Sequence, residues 1–158
     1  MDRSRSQRAA REMLTEELDA VLKGLRAPET RLETAPPGLN AALRAYQQTG
    51  YSWLRFVARL GLGACLADDM GLGKTVQVIA LLLDLKREPS RKKDTSLLVV
   101  PASLIANWKA ELGKFAPGLS YAVVHPSEVN AKGREVGTAD SGEFDLIVTT
   151  YGMLVRTE

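Results

Sequence analysis

Apolar positions in this chain form short runs and helical stripes, separated by proline- and glycine-rich breaks. Leu14, Leu18, Val21, Leu22 and Leu25 recur at helical spacing among charges, which predicts a helix over Met1 to Leu25 with one packing face. Arg26 to Gly38, with Pro28, Pro36 and Pro37, reads as a linker. From Leu39 to Leu60 the residues Leu43, Tyr46, Trp53, Leu54, Phe56 and Val57 keep a helical period that Gly50 interrupts. Gly61 and Gly63 punctuate the chain, and Ala64-Cys65-Leu66-Ala67 then suits a buried strand. After a glycine-rich segment, Val76 to Lys86 reads as a strongly apolar helix. Leu97 to Val100 is the next buried strand, stopped by Pro101. Ser103 is a candidate cap for a helix whose inner face is Leu104, Ile105, Trp108, Leu112 and Phe115. Pro117-Gly118 ends that helix, Tyr121 to His125 reads as a strand, and Pro126 to Glu143 as a polar loop with a short helix. Leu146-Ile147-Val148 is a further strand, and being last it is expected to leave an exposed edge. This alternation predicts an α/β fold with a parallel sheet and right-handed crossovers, flanked by helices.

A length of 158 residues fits one domain, or one domain plus an extension. The expected division is a helical extension and linker over 1–38 and a main domain over 39–158. An apolar share of 45% with 25% charged residues is ordinary for a soluble domain with a sizeable core. The apolar runs are too short to span a membrane, and the N-terminus lacks the apolar run of a signal peptide, so the cytoplasm is the expected location. Cys65 is the single cysteine, which excludes an intrachain disulfide; in its apolar run it reads as a small buried hydrophobe. One His and one Cys argue against an ordinary zinc site. A net charge of +2 permits a nucleic-acid partner without arguing for one, because such a surface needs clustered charge. Up to Gly38 seven acids offset seven basic residues, so a basic nucleic-acid-binding arm is disfavoured there. Arg87, Arg91, Lys92 and Lys93 read as a solvated loop at a helix end.

The chemistry-bearing segment is Asp68-Asp69-Met70-Gly71-Leu72-Gly73-Lys74-Thr75. A phosphate-binding loop needs small residues, so that backbone N–H groups can turn toward phosphate oxygens. It also needs a helix starting at its end, whose dipole faces the anion. Gly71 and Gly73 meet the first condition, and the helix from Val76 meets the second. Lys74 is then placed to reach the terminal phosphates of a nucleoside triphosphate, ATP above all, and the Thr75 hydroxyl to coordinate Mg²⁺. Asp68 stands where the general pattern has Gly.

The flanking residues narrow the class. Leu43-Arg44-Ala45-Tyr46-Gln47-Gln48-Thr49-Gly50-Tyr51-Ser52-Trp53-Leu54 resembles the adenine-recognition motif of Swi/Snf-type ATPases, a branch of helicase superfamily two. Leu66 to Thr75 resembles that family's phosphate loop, in which Asp replaces the first Gly. Leu97 to Trp108 and Asp145 to Tyr151 are similar to its motifs Ia and Ib. The four blocks stand in the family's order and cover most of Leu39 to Met153. Ala45 and Asp69 depart from the commoner Pro and Glu, away from the phosphate chemistry.

The resemblance, to a bacterial member, implies part of the first RecA-like lobe of a DNA-dependent ATPase that translocates on double-stranded DNA or remodels protein–DNA complexes. Gln47 would read the adenine edge, since an amide both donates and accepts. Arg44 and Tyr46 would support the base or pack. Pro101, Ala102, Ser103, Thr149 and Thr150 would face the phosphodiester backbone. Trp108 reads as core. A small-molecule kinase and a non-catalytic nucleotide- or DNA-binding module are the competing readings. The residues before the loop speak against the first, and intact Lys74 and Thr75 against the second.

Hydrolysis in the resembled family also needs an Asp-Glu motif after motif Ib and an arginine from a second lobe. Neither occurs in these 158 residues, so the expected lobe is truncated. The chain as given should therefore show no meaningful ATP turnover, with or without DNA. A phosphate-release assay on the purified chain checks this, and robust DNA-stimulated turnover would contradict it.

Overall fold

The computed structural model describes residues 15–16, 19, 21–23, 32–69, 71–89, 94–126 and 143–155. Most of the helix expected over Met1 to Leu25 lies outside them, although Thr15, Glu16, Asp19 and Val21 to Lys23 are helical. Residues 127–142 of the expected polar loop, and the basic residues Arg91 to Lys93, also lie outside.

The described elements are α1 (Ala45–Arg59), α2 (Lys74–Arg87), β1 (Ser96–Val99), a 3-10 turn (Ala102–Leu104), α3 (Ile105–Phe115), β2 (Tyr121–Val124), β3 (Leu146–Thr149) and α4 (Tyr151–Leu154). The sheet is parallel, as expected, in the order β1-β3-β2. Leu97 and Ala122 both stand level with Ile147 of β3. The last strand is thus central and leaves no exposed edge; the edges are β1 and β2. β3 is the most buried of the described strands: Leu146 and Val148 are buried on one face, and Thr149 is buried on the other beside half-buried Ile147. On the β1 edge Leu97 remains 57% exposed.

The core lies where α2 and α3 cover the sheet. Ile79 and Leu83 of α2 meet Ile105 and Leu112 of α3, together with Val123, Leu146 and Val148. Each such side chain contributes about 1.5–3 kcal/mol by leaving water. Trp108, Phe115 and Tyr121 pack against this cluster half-buried, in line with the core reading of Trp108.

Five local expectations are corrected. Ala64 to Ala67 is no strand, and Cys65 is exposed rather than buried. A strand is stable only beside a hydrogen-bonded neighbour, and none of the three described strands pairs with this segment. Gly50 does not interrupt α1, which runs through it; the preference of Gly for other conformations costs only about 1 kcal/mol there. Ser103 makes no capping bond, because the 3-10 turn precedes α3. Leu104, in that turn, is exposed rather than part of the inner face.

α1 rests on α2 through buried Tyr51, Leu54 and Val57. The Arg55 guanidinium joins the helices, pairing with Asp84 of α2 and with Glu33 at 2.5 Å. At the far end of α2, Lys86 Nζ donates to the Asp145 carboxylate at 2.6 Å and to the Gly118 carbonyl at 3.0 Å. The same Asp145 oxygen accepts from the Ser120 backbone N–H at 2.8 Å and its hydroxyl at 2.7 Å. Burial pushes the Asp145 carboxyl up, but the bonds from Lys86 and Ser120 outweigh it and hold the group below its ordinary range. These contacts tie the C-terminal end of α2 to the N-terminal ends of β2 and β3. The opposite end of α2 therefore lies at the C-terminal edge of the sheet, where parallel α/β folds bind ligands.

Burial, with Asp84 nearby, pushes the Tyr51 phenol from 10.0 up to about 12. Because the folded value lies above the unfolded one, this contribution to stability is complete below about pH 10 and is lost as pH rises toward 12. Tyr51→Phe should remove that alkaline decline. Denaturant midpoints at pH 8 and pH 11 check it: the wild type should lose more between the two than the variant.

Candidate nucleotide site

The loop between residue 62 and α2 holds its shape without a strand ladder beneath it. Gly71 and Gly73 take φ of 85° and 75°, the left-handed region that side chains with a Cβ avoid. Gly73 is the residue from which α2 departs, so Lys74 and Thr75 open its first turn. The backbone N–H groups of that turn have no partners within the helix and face any anion placed at its end.

Lys74 Nζ donates to the carbonyls of Asp68 and Asp69, at 2.7 and 2.8 Å. It thereby closes the loop on itself and keeps the ammonium at the loop mouth. Gln47, on the first turn of α1, is buried rather than solvated. Its Nε2 donates to the Leu72 carbonyl at 3.0 Å, while its Oε1 accepts from the Arg44 backbone N–H at 3.0 Å. The second bond caps α1. An amide group carries two N–H donors and two acceptor lone pairs, so each half of Gln47 retains one further bond for another group. A Cβ on Gly73 would stand 2.5 Å from Gln47 Nε2, so glycine is needed there for space as well as for φ. Nothing lies within 4 Å of a Cβ built on Gly71, which opens outward.

Asp68, Asp69, Gly71, Leu72, Gly73, Lys74, Thr75 and Gln47 are therefore gathered at one end of α2; Met70 lies outside the described residues. Arg44 and Tyr46 are exposed at the start of α1. Pro101, Ala102 and Ser103 are exposed just after β1; Thr149 ends the adjacent β3, and Thr150 follows it. These five residues share the C-terminal edge of the sheet. The Thr149 hydroxyl donates to the Val124 carbonyl of β2 at 3.0 Å, and Thr150 is buried. Two partners in the site escaped the sequence reading. Gln77, in the second turn of α2, donates from Nε2 to Asp68 Oδ2 at 3.0 Å. Arg55 braces α1 on α2 through Asp84. A polar residue on the buried face of an apolar helix was the available signal for Gln77.

Among the described residues no group of three or more His, Cys, Asp or Glu could hold a metal ion. A divalent ion would have to share the Thr75 hydroxyl with oxygens brought by a ligand, which suits Mg²⁺ arriving with phosphates.

A parallel three-stranded sheet, helices on it and a glycine loop that opens α2 with Lys-Thr define the P-loop, RecA-like class of α/β domain. Residues 46–158 match the SNF2-related domain, and the chain belongs to that family. It is 41% identical over 141 residues to YwqA of Bacillus subtilis (strain 168), described as an ATP-dependent helicase/translocase, spanning 89% of this chain and 15% of that protein. Over 115 residues it is also 41% identical to the ATP-dependent helicase FUN30 of Saccharomyces cerevisiae (strain ATCC 204508 / S288c), spanning 71% and 10%. The SWI2/SNF2 ATPase core of Sulfolobus solfataricus, solved in complex with dsDNA, superposes with a TM-score of 0.69 at 43% identity, over 80% of this chain and 25% of that one. The chain thus spans a small part of the relatives it matches.

Gly71→Ala and Gly73→Ala both meet the left-handed penalty of about 1–2 kcal/mol. The second also displaces the Gln47 amide from Leu72. Gly73→Ala should therefore lower the denaturant midpoint more than Gly71→Ala, as chemical denaturation monitored by circular dichroism would read. Equal losses would remove Gln47 from the contact.

Proposed function

We propose that this chain is the ATP-holding part of the first RecA-like lobe of a DNA-dependent ATPase that translocates on duplex DNA and remodels protein–DNA complexes. The proposed boundaries are a helical extension and linker over 1–38 and partial lobe over 39–158. The observation that carries the reading is the meeting of Gln47 with the Gly71–Gly73 loop at the start of α2. That arrangement supplies an amide for a base and a cationic, N–H-rich helix end for a polyphosphate within one small region.

On this reading the loop's backbone N–H groups and the Lys74 ammonium receive the β- and γ-phosphates. Phosphate oxygens are charged acceptors and bind an ammonium more strongly than neutral carbonyls do, so they draw Lys74 from Asp68 and Asp69. Thr75 supplies a protein oxygen to Mg²⁺, which when bound neutralises phosphate charge. Gln47 turns its remaining donor and acceptor toward adenine. Pro101, Ala102 and Ser103, together with the chain at Thr149 and Thr150, form the side turned to a DNA backbone. The Thr149 hydroxyl is committed to Val124, so contacts at that end fall to backbone groups and neighbouring side chains. Support for the DNA partner comes from the Sulfolobus core, which was solved with dsDNA. Several family relatives are named as helicases, which supports the motor reading.

Magnesium-dependent binding of a fluorescent ATP analogue to the purified chain tests the nucleotide site. Lys74→Ala should weaken it at least about ten-fold, the loss expected when one charge-assisted phosphate contact of roughly 1.5–3 kcal/mol is removed. Equal affinity in variant and wild type would remove Lys74 from the phosphate role.

A further inference from the structure

Gln77 is fully buried on an otherwise apolar face of α2, and the phosphate chemistry above makes no use of it. A buried amide is retained against its desolvation only where its bonds do something an apolar side chain cannot. Its Nε2 reaches Asp68, the residue that stands where the general loop pattern begins with Gly. The Asp68 carbonyl meanwhile accepts from Lys74. Lys74 and Gln77 are three positions apart and so share one face of α2. Between them they grip both the main chain and the side chain of Asp68.

The other end of the Gln77 amide points at α1. Its Oε1 is buried without a hydrogen-bond partner. It lies over Gly50, where an added Cβ would collide with it and come within 3.1 Å of Cδ. Only the Cα hydrogens of a glycine leave room there, and they offer the oxygen a weak C–H contact. The amide's orientation is fixed by chemistry: reversing it would set Oε1 against the Asp68 carboxylate. Gly50 is three positions after Gln47, so one face of α1 carries both the residue that holds Leu72 and the residue that receives Gln77. The loop is therefore held at its entrance by Asp68–Gln77 and near its exit by Leu72–Gln47, with both grips referred to the same pair of helices.

We propose that the Asp68–Gln77 hydrogen bond, admitted by Gly50, is a clasp that fixes the entrance of the phosphate loop to α1 and α2, making Gln77 a positioning residue for the nucleotide. This rests on the nucleotide reading of the loop. It explains why α1 tolerates a glycine at mid-helix and why a polar residue is kept in the core face of α2. It also gives Asp68 a task that the Gly of the general pattern could not perform.

The test uses the purified chain, a fluorescent ATP analogue with Mg²⁺, and Gln77→Leu, which keeps the volume and removes the amide. Asp68→Ala and the double variant complete a cycle. The clasp predicts that each single change weakens binding about ten-fold and that the double variant is no weaker than either, since both singles remove one bond. Thermal midpoints, followed in parallel, should stay within a few degrees of wild type for Gln77→Leu. ¹⁵N relaxation of the Gly71 and Gly73 amides, recorded without nucleotide, should show greater mobility in Gln77→Leu. Additive losses, or Gln77→Leu binding as tightly as wild type, would overturn the clasp. So would a lowered thermal midpoint with unchanged loop relaxation. Should the wild-type chain fail to bind the analogue, the nucleotide reading falls, and the relaxation data alone decide the clasp: raised loop mobility in Gln77→Leu supports it, and unchanged mobility overturns it.

Discussion

Everything in the site depends on how α2 is held. Its two ends are fixed by different means. The C-terminal end is nailed to the sheet by Lys86 on Asp145 and Gly118, and its buried side by Ile79 and Leu83. The N-terminal end carries the phosphate loop, which has no strand ladder to hold it. What replaces the ladder is the packing of α1 on α2. Arg55 spans the two helices by pairing with Asp84, and Tyr51 fills the space between them. Because α1 is fixed in this way, Gln47 meets Leu72 at hydrogen-bonding distance. Loosening α1 would move the amide and the loop together.

This arrangement explains which features could be read from the chain. The parallel sheet and the helices after Lys74 and Ile105 were legible because burial imposes a period on apolar residues. The loop was legible because phosphate chemistry demands Gly71, Gly73, Lys74 and Thr75 at fixed offsets. Ala64 to Ala67 misled for a physical reason. An apolar run says that a segment can be buried, whereas a strand also needs a partner, and partners are a property of the whole fold. The strand order carried the same lesson. Sequence order made β3 last, but the connection through α3 leaves a gap between β1 and β2 that β3 fills.

Gly50 was misread and Gln77 passed over for a shared reason. Each looks unfavourable on its own helix: a glycine at mid-helix and an amide on an apolar face. Propensity belongs to one element, and their fit belongs to two. Brought together, the missing side chain of one makes room for the oxygen of the other. Conflicts between local preference and observed structure concentrate at working sites, and this pair lies directly beneath the loop.

The same reasoning bears on how the loop could respond to a phosphate. Lys74 spends its ammonium on two neutral carbonyls, while Asp68 and Leu72 stay tied to α2 and α1 through other atoms. A charged acceptor could therefore draw Lys74 away without releasing the loop, because the side-chain grips on Asp68 and Leu72 do not pass through Nζ. Backbone N–H groups at the start of α2 would keep their aim during that exchange. Preorganisation of this kind saves a ligand the cost of ordering its own site. The side-chain grips on the loop thus come from the two buried amides beside it, and neither passes through the Lys74 ammonium.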